Sequence, residues 1–102
     1  MRIWVDVSVF YSPKGAFGCA SGDMEVTEAP RPHGHFPWPQ QWVTERPEFF
    51  GPEQSLVMTV GESEGRPLVM LFGIVCSSLE EARDCVAFLE ERGGLCFDEY
   101  DR

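Results

Sequence analysis

The stretch Leu68 to Gly94, LVMLFGIVCSSLEEARDCVAFLEERGG, decides the fold class. Its opening residues, Leu68 to Cys76, are apolar throughout, which reads as a central strand covered on one face by a helix. The run from Pro67 to Cys76 is the longest apolar one in the chain and about half of the ~20 residues needed to span a bilayer. The covering helix follows at once. Ser77 and Ser78 each precede a glutamate by three residues (Glu80, Glu81), so either can open a helix with a capping box, and Gly93-Gly94 closes it. At about 100° per residue, Leu79, Ala82, Cys85, Val86 and Leu89 form one apolar stripe, while Glu80, Asp84, Ala87 and Glu91 point away.

Outward from this unit the chain reads as β. Ser55 to Gly61 is a strand with Leu56, Met58 and Val60 on one face, joined to the next strand by the hairpin connection Glu62 to Pro67. At the N-terminus Ile3, Val5, Val7 and Val9 alternate with Trp4, Asp6, Ser8 and Phe10, the period of two that lays one aliphatic face on a core. Ser12-Pro13-Lys14-Gly15 has turn chemistry, so residues 17–28 are expected to return as a second strand. Leu95 to Tyr100 reads as a last short strand; if it lies parallel to the strand before the helix, the crossover should be right-handed. The expectation is a single α+β domain over residues 1–102: a mainly antiparallel sheet of about five strands on one C-terminal helix, in the order β-β-long loop-β-β-α-β.

The loop, about 30–54, breaks every periodicity. It holds six of the eight prolines together with Phe36, Trp38, Trp42, Phe49 and Phe50. Proline removes amide donors and fixes φ, so a long helix or a central strand is excluded, and only Gln40 to Thr44 can form a short strand or a turn of helix. Irregular connections longer than ~12–15 residues are usually functional or disordered, and five aromatics argue against disorder. Some of these rings should close the core. At least one tryptophan, Trp38 or Trp42, is expected at the surface as a partner contact, since Trp is over-represented among interface hot spots.

Seventeen acidic residues face eight basic ones, a net charge of -9, and Lys14 is the one lysine. Phosphate contact needs clustered Lys and Arg, so direct nucleic-acid binding is disfavoured, and so is an anionic membrane. An acidic surface suits a basic protein partner. From Glu80 onward eight carboxylates stand against three arginines. Glu80 and Glu81 complement the helix dipole, whereas Glu90 and Glu91 in the last turn oppose it by ~0.3–1 kcal/mol each. With Asp98, Glu99 and Asp101 close behind, these five carboxylates are the candidate partner-binding cluster.

Met1-Arg2-Ile3-Trp4-Val5-Asp6 carries charge too early for a secretory h-region, so a cytoplasmic protein with four reduced thiols (Cys19, Cys76, Cys85, Cys96) is expected. The cysteines lack paired CxxC spacing; Cys85 falls on the apolar face of the predicted helix, and Cys76 and Cys96 fall in predicted strands. His33-Gly34-His35 is the one histidine pair. Two imidazoles leave half of a tetrahedral shell unfilled, so Cys19 or a carboxylate would have to complete a metal site. There is no GxGxxG and no GK[ST] element. The expectation is therefore no enzyme, no cofactor and no bound metal.

In size and charge the chain resembles toxin-neutralising immunity proteins and phage-encoded inhibitors such as anti-CRISPR proteins. That resemblance rests on no motif and assigns no residue. It implies an inhibitor that occludes a basic, nucleic-acid-handling protein. Two other readings stay open: a metal- or thiol-dependent enzyme using His33, His35 and Cys19, and a subunit of a larger assembly, with a homo-oligomer as one form of it.

Overall fold

A computed structural model describes residues 1–11 and 15–100. The fold is α+β, with a six-stranded mixed sheet and one main helix near the C-terminus. The strands are β1 (Arg2–Tyr11), β2 (Gly15–Glu25), β3 (Val57–Ser63), β4 (Arg66–Leu71), β5 (Ile74–Cys76) and β6 (Cys96–Glu99); the helices are α1 (Gln40–Glu45), α2 (Pro47–Phe50) and α3 (Leu79–Gly93).

β1 is the spine. Its alternation survives intact: Ile3, Val5, Val7 and Val9 are fully buried, and Trp4, Asp6, Ser8 and Phe10 are half-exposed on the opposite face. β2 pairs with β1 antiparallel as the expected hairpin, although the turn residues Ser12 to Lys14 lie outside the described residues. On its other side β1 pairs with β4 and β5, both parallel. The order is β3-β4-β1-β2-β6, with β5 continuing beyond β4 along β1. This corrects the expected sheet in strand count and order, and its pairing, still mainly antiparallel, includes two parallel junctions. The β3–β4 hairpin enters beside β1 through β4, which makes that junction parallel and the sheet mixed.

Two further corrections concern these strands. The apolar run Leu68 to Cys76 is not continuous, because it breaks at Phe72-Gly73 into β4 and β5. Gly73 has φ +132°, and the Phe10 ring fills the place where a Cβ would stand, so backbone conformation and packing both require glycine there. In β3 the buried residue is Val57, whereas Leu56 is exposed. A bulge between Val57 and Thr59 resets the register, and only after it does Val60 turn to the core. β6 lies at the far edge, antiparallel to β2, so β1 and β2 separate it from β5.

One face of the sheet is covered. α3 begins as a capping box: the Ser78 hydroxyl accepts from the Glu81 N–H at 3.1 Å, and the Glu81 carboxylate accepts from the Ser77 N–H at 2.9 Å. It ends at Gly94, whose φ of +68° is left-handed and whose N–H donates to the Glu90 carbonyl. Between them Ala82, Cys85, Val86 and Leu89 are buried as the stripe requires. The 30–54 segment completes the cover and is more helical than expected. Pro47 occupies the first turn of α2, where its missing N–H costs nothing, and Pro52 opens a 3-10 turn, Pro52–Gln54.

No helix among the described residues is long and apolar enough to cross a membrane.

Candidate functional site

The aromatic segment is core. Trp38 and Trp42 each retain 6% exposure, and Phe36, Phe49 and Phe50 are buried with them. The two indoles stack at 5.8 Å between centroids, and Phe50 and Phe88 meet Trp42 at 5.3 Å. The expected surface tryptophan is therefore absent from this segment. The half-exposed tryptophan of the chain is Trp4, on β1.

The five-carboxylate cluster is divided. Glu90 and Glu91 are exposed on α3, on the covered side of the sheet. Asp98 stands opposite Cys19 in the β2–β6 register and shares its face, whereas Glu99 takes the other face with Phe97. Asp101 lies outside the described residues. The dipole mismatch of Glu90 and Glu91 has a compensation: Arg92 stands in the same turn, pairs with Glu45 of α1 at 2.8 Å and lies over the Phe88 ring. That link ties the helix to the aromatic segment and holds the Glu45 carboxyl below its ordinary range, chiefly by the Arg92 hydrogen bond.

The histidines sit in an exposed loop. The His33 N–H donates to Val57 at 2.9 Å and His35 bridges to Leu56, so the loop borders the start of β3. A depression of about 450 Å³ beside it is lined by Glu28, Pro30, Arg31 and His35. Cys19 belongs to β2, three strand spacings from β3, or about 14 Å. The three residues are thus not assembled. Among the described residues no group of three or more His, Cys, Asp or Glu is placed to hold a metal ion.

What the fold does assemble is the uncovered face of the sheet. Across β1, β2 and β6 run Ser8, Cys19 and Asp98, with Asp6 and Ser21 in the next row. The Cys19 thiol donates to the Asp6 carboxylate at 2.6 Å. Burial, that hydrogen bond and the charges of Asp6 and Asp98 push the thiol up to about 12. This environment favours the protonated thiol over the thiolate. The Tyr100 hydroxyl reaches the Ser8 hydroxyl at 3.4 Å and borders the same group. Toward β4 and β5 the face turns apolar: Trp4, Phe10, Leu68, Met70 and Val75 point to it, and Phe72 is exposed at the break between the strands. Arg66 lies over the Trp4 ring at 5.1 Å and pairs with Asp23.

No protein-family model, no curated protein and no solved structure matches this chain.

The signal that the sequence offered for this surface was the outward half of each alternation. Trp4, Asp6, Ser8 and Phe10 are too mixed for a purely solvated face and too polar for a second core.

Proposed function

We propose that this chain is a non-catalytic binding protein that inhibits or neutralises a basic, nucleic-acid-handling protein by occluding it, in the manner of an immunity protein or a phage inhibitor. The observation that carries the reading is how the charges are used. Three of the described arginines are engaged within the molecule, Arg46 with Glu48, Arg66 with Asp23 and Arg92 with Glu45. The amino terminus is paired with Glu25. Every other described carboxylate, including Asp6, Glu90, Glu91, Asp98 and Glu99, stands in no ion pair among the described residues. The negative field therefore faces outward, where it attracts a basic surface and rejects nucleic acid and acidic proteins. The thiol-enzyme reading has less support, since the Cys19 thiol donates to the Asp6 carboxylate, whose charge disfavours the thiolate, and not to an imidazole.

The test is capture from the native host's extract at low and high salt, followed by reconstitution with the purified captured protein. The expected partner is basic, binds in a defined ratio, dissociates as salt rises and loses its own activity in the complex. A captured protein that is acidic, or that works at full rate while bound, refutes the reading.

A further inference from the structure

We propose that the uncovered face of the sheet is the docking surface, and that its occupant is a basic partner presenting arginine or lysine side chains interleaved with apolar ones. The inference rests on the reading just given and places it on the molecule.

A sheet with one solvated face ordinarily shows polar residues there, and β1 with β2 does so at Asp6, Ser8, Cys19 and Ser21. The β4–β5 side departs from that pattern. Phe72 is 52% exposed and Val75 55%, with Met70 exposed between Phe72 and the Trp4–Leu68 pair. Scattered exposed apolar side chains need no explanation, but contiguous ones rimmed by charge mark a contact surface. Here they adjoin one another across the β1–β4 and β1–β5 registers: Trp4 beside Leu68, Asp6 beside Met70, Phe10 beside Val75.

The charges choose among occupants. Asp6 stands at the centre of the face and Asp98 toward the β6 edge, neither in an ion pair among the described residues. A depression of about 400 Å³ lined by Trp4, Asp6, Ser63, Glu64, Arg66 and Leu68 adds a second carboxylate beside the apolar half. A second copy of this chain would bring the same carboxylates against themselves, on top of the mutual repulsion of two chains at -9 each. An acidic or nucleic-acid partner fails for the same reason. A basic segment satisfies both halves at once, its cations on Asp6, Asp98 and Glu64 and its apolar groups on Met70, Phe72 and Val75.

The experiment uses the whole chain, labelled for NMR, and three twelve-residue peptide probes: alternating Arg-Leu, alternating Glu-Leu, and oligolysine. The Arg-Leu probe should move the Trp4 indole, the Met70 methyl and the Tyr100 ring while the Trp38 and Trp42 indoles stay still, and should bind at least tenfold more tightly than oligolysine. The double variant Phe72→Asn, Val75→Thr should lose at least tenfold in affinity, and Asp98→Asn severalfold. Glu90→Lys with Glu91→Lys should retain most of it. Should the open-face variants unfold, the wild-type shift map alone decides the location. Shifts confined to Glu90, Glu91 and their neighbours overturn the proposed surface and leave the acidic-inhibitor reading standing. Equal binding of the Glu-Leu probe, or no binding of any probe at low salt, overturns both. A dimer of the unliganded protein in sedimentation, broken by the Phe72–Val75 double variant, names a second copy as the occupant and overturns the proposal.

Discussion

Replacing Trp42 by alanine separates a core role from a contact role. A tryptophan side chain hides ~150–250 Å² when buried. At ~25 cal/mol per Å² that is about 4–6 kcal/mol of burial. The ring touches Trp38, Phe50 and Phe88, and its edge lies 2.9 Å from where a Cβ on Gly93 would stand, so the walls of the resulting cavity cannot close freely. The expected loss is about 4 kcal/mol, within the usual range for removing a buried large aromatic. Whole domains have only about 5–15 kcal/mol of stability, so the variant keeps roughly 1–11 kcal/mol and still folds. With a urea slope of about 1.5 kcal/mol/M, the unfolding midpoint followed by far-ultraviolet circular dichroism should fall by about 2.5 M. Trp4→Ala, on the uncovered face with Arg66 over its ring, should cost about 1 kcal/mol. A fall of less than about 0.3 M for Trp42→Ala would refute the placement of the ring in the core, because surface substitutions stay within about 0.5 kcal/mol.

Three further outcomes are expected. The Gln54 side-chain amide donates to the Val75 carbonyl at 2.6 Å and accepts from its N–H at 3.1 Å, standing where a neighbouring strand would pair with β5. Gln54→Ala should therefore cost about 1–2 kcal/mol in urea unfolding and raise light scattering on storage, as a freed sheet edge does. Ser78→Ala removes the cap of α3 and should cost about 1 kcal/mol, with Ser78→Asp restoring most of it; an unchanged midpoint would mean that the helix does not start there. Cys19, pushed up to about 12 from an ordinary 9.0, holds a proton in the folded state that the unfolded chain releases, so its contribution is complete below pH 9 and declines as pH rises toward 12. Stability of the wild type should fall more steeply between pH 8 and about 10.5 than that of Cys19→Ser, and alkylation at pH 8.5 should modify the exposed Cys96 well before Cys19.

What the sequence disclosed was local. The β1 alternation and the α3 stripe with its serine cap are each set by residues a few positions apart, and each stands as read. The bulge at Met58 moved the buried face of β3 by one residue, because register follows the pairing with β4 and not the pattern Leu56, Met58, Val60 alone. The break at Gly73 depends on the ring of Phe10, which reaches it only through the parallel β1–β5 pairing. Trp38 and Trp42 looked like anchors because prolines surround them. Pro39 instead stands just before α1 as its N-cap, Pro47 and Pro52 open α2 and the 3-10 turn, and the rings turn inward.

The same distinction governs where the charge acts. Asp98 and Glu99 are neighbours in sequence, yet strand alternation sends them to opposite faces; Asp6 and Asp98 come from opposite ends of the chain, yet both bear on Cys19 because β2 lies between β1 and β6. A run of carboxylates such as Glu90 to Glu99 is thus not one surface, and its net charge does not locate a partner. The location follows from which side of the sheet α3 and the aromatic segment cover. Both pack on the face of Ile3, Val5, Val7 and Val9, and this leaves Asp6, the centre of the opposite face, with a thiol proton for a partner and no cation among the described residues. A half-buried carboxylate in that position, bordered by exposed Met70, Phe72 and Val75, is most stabilised when a cation arrives together with apolar cover, since exclusion of water strengthens the ion pair while the apolar contact offsets its desolvation.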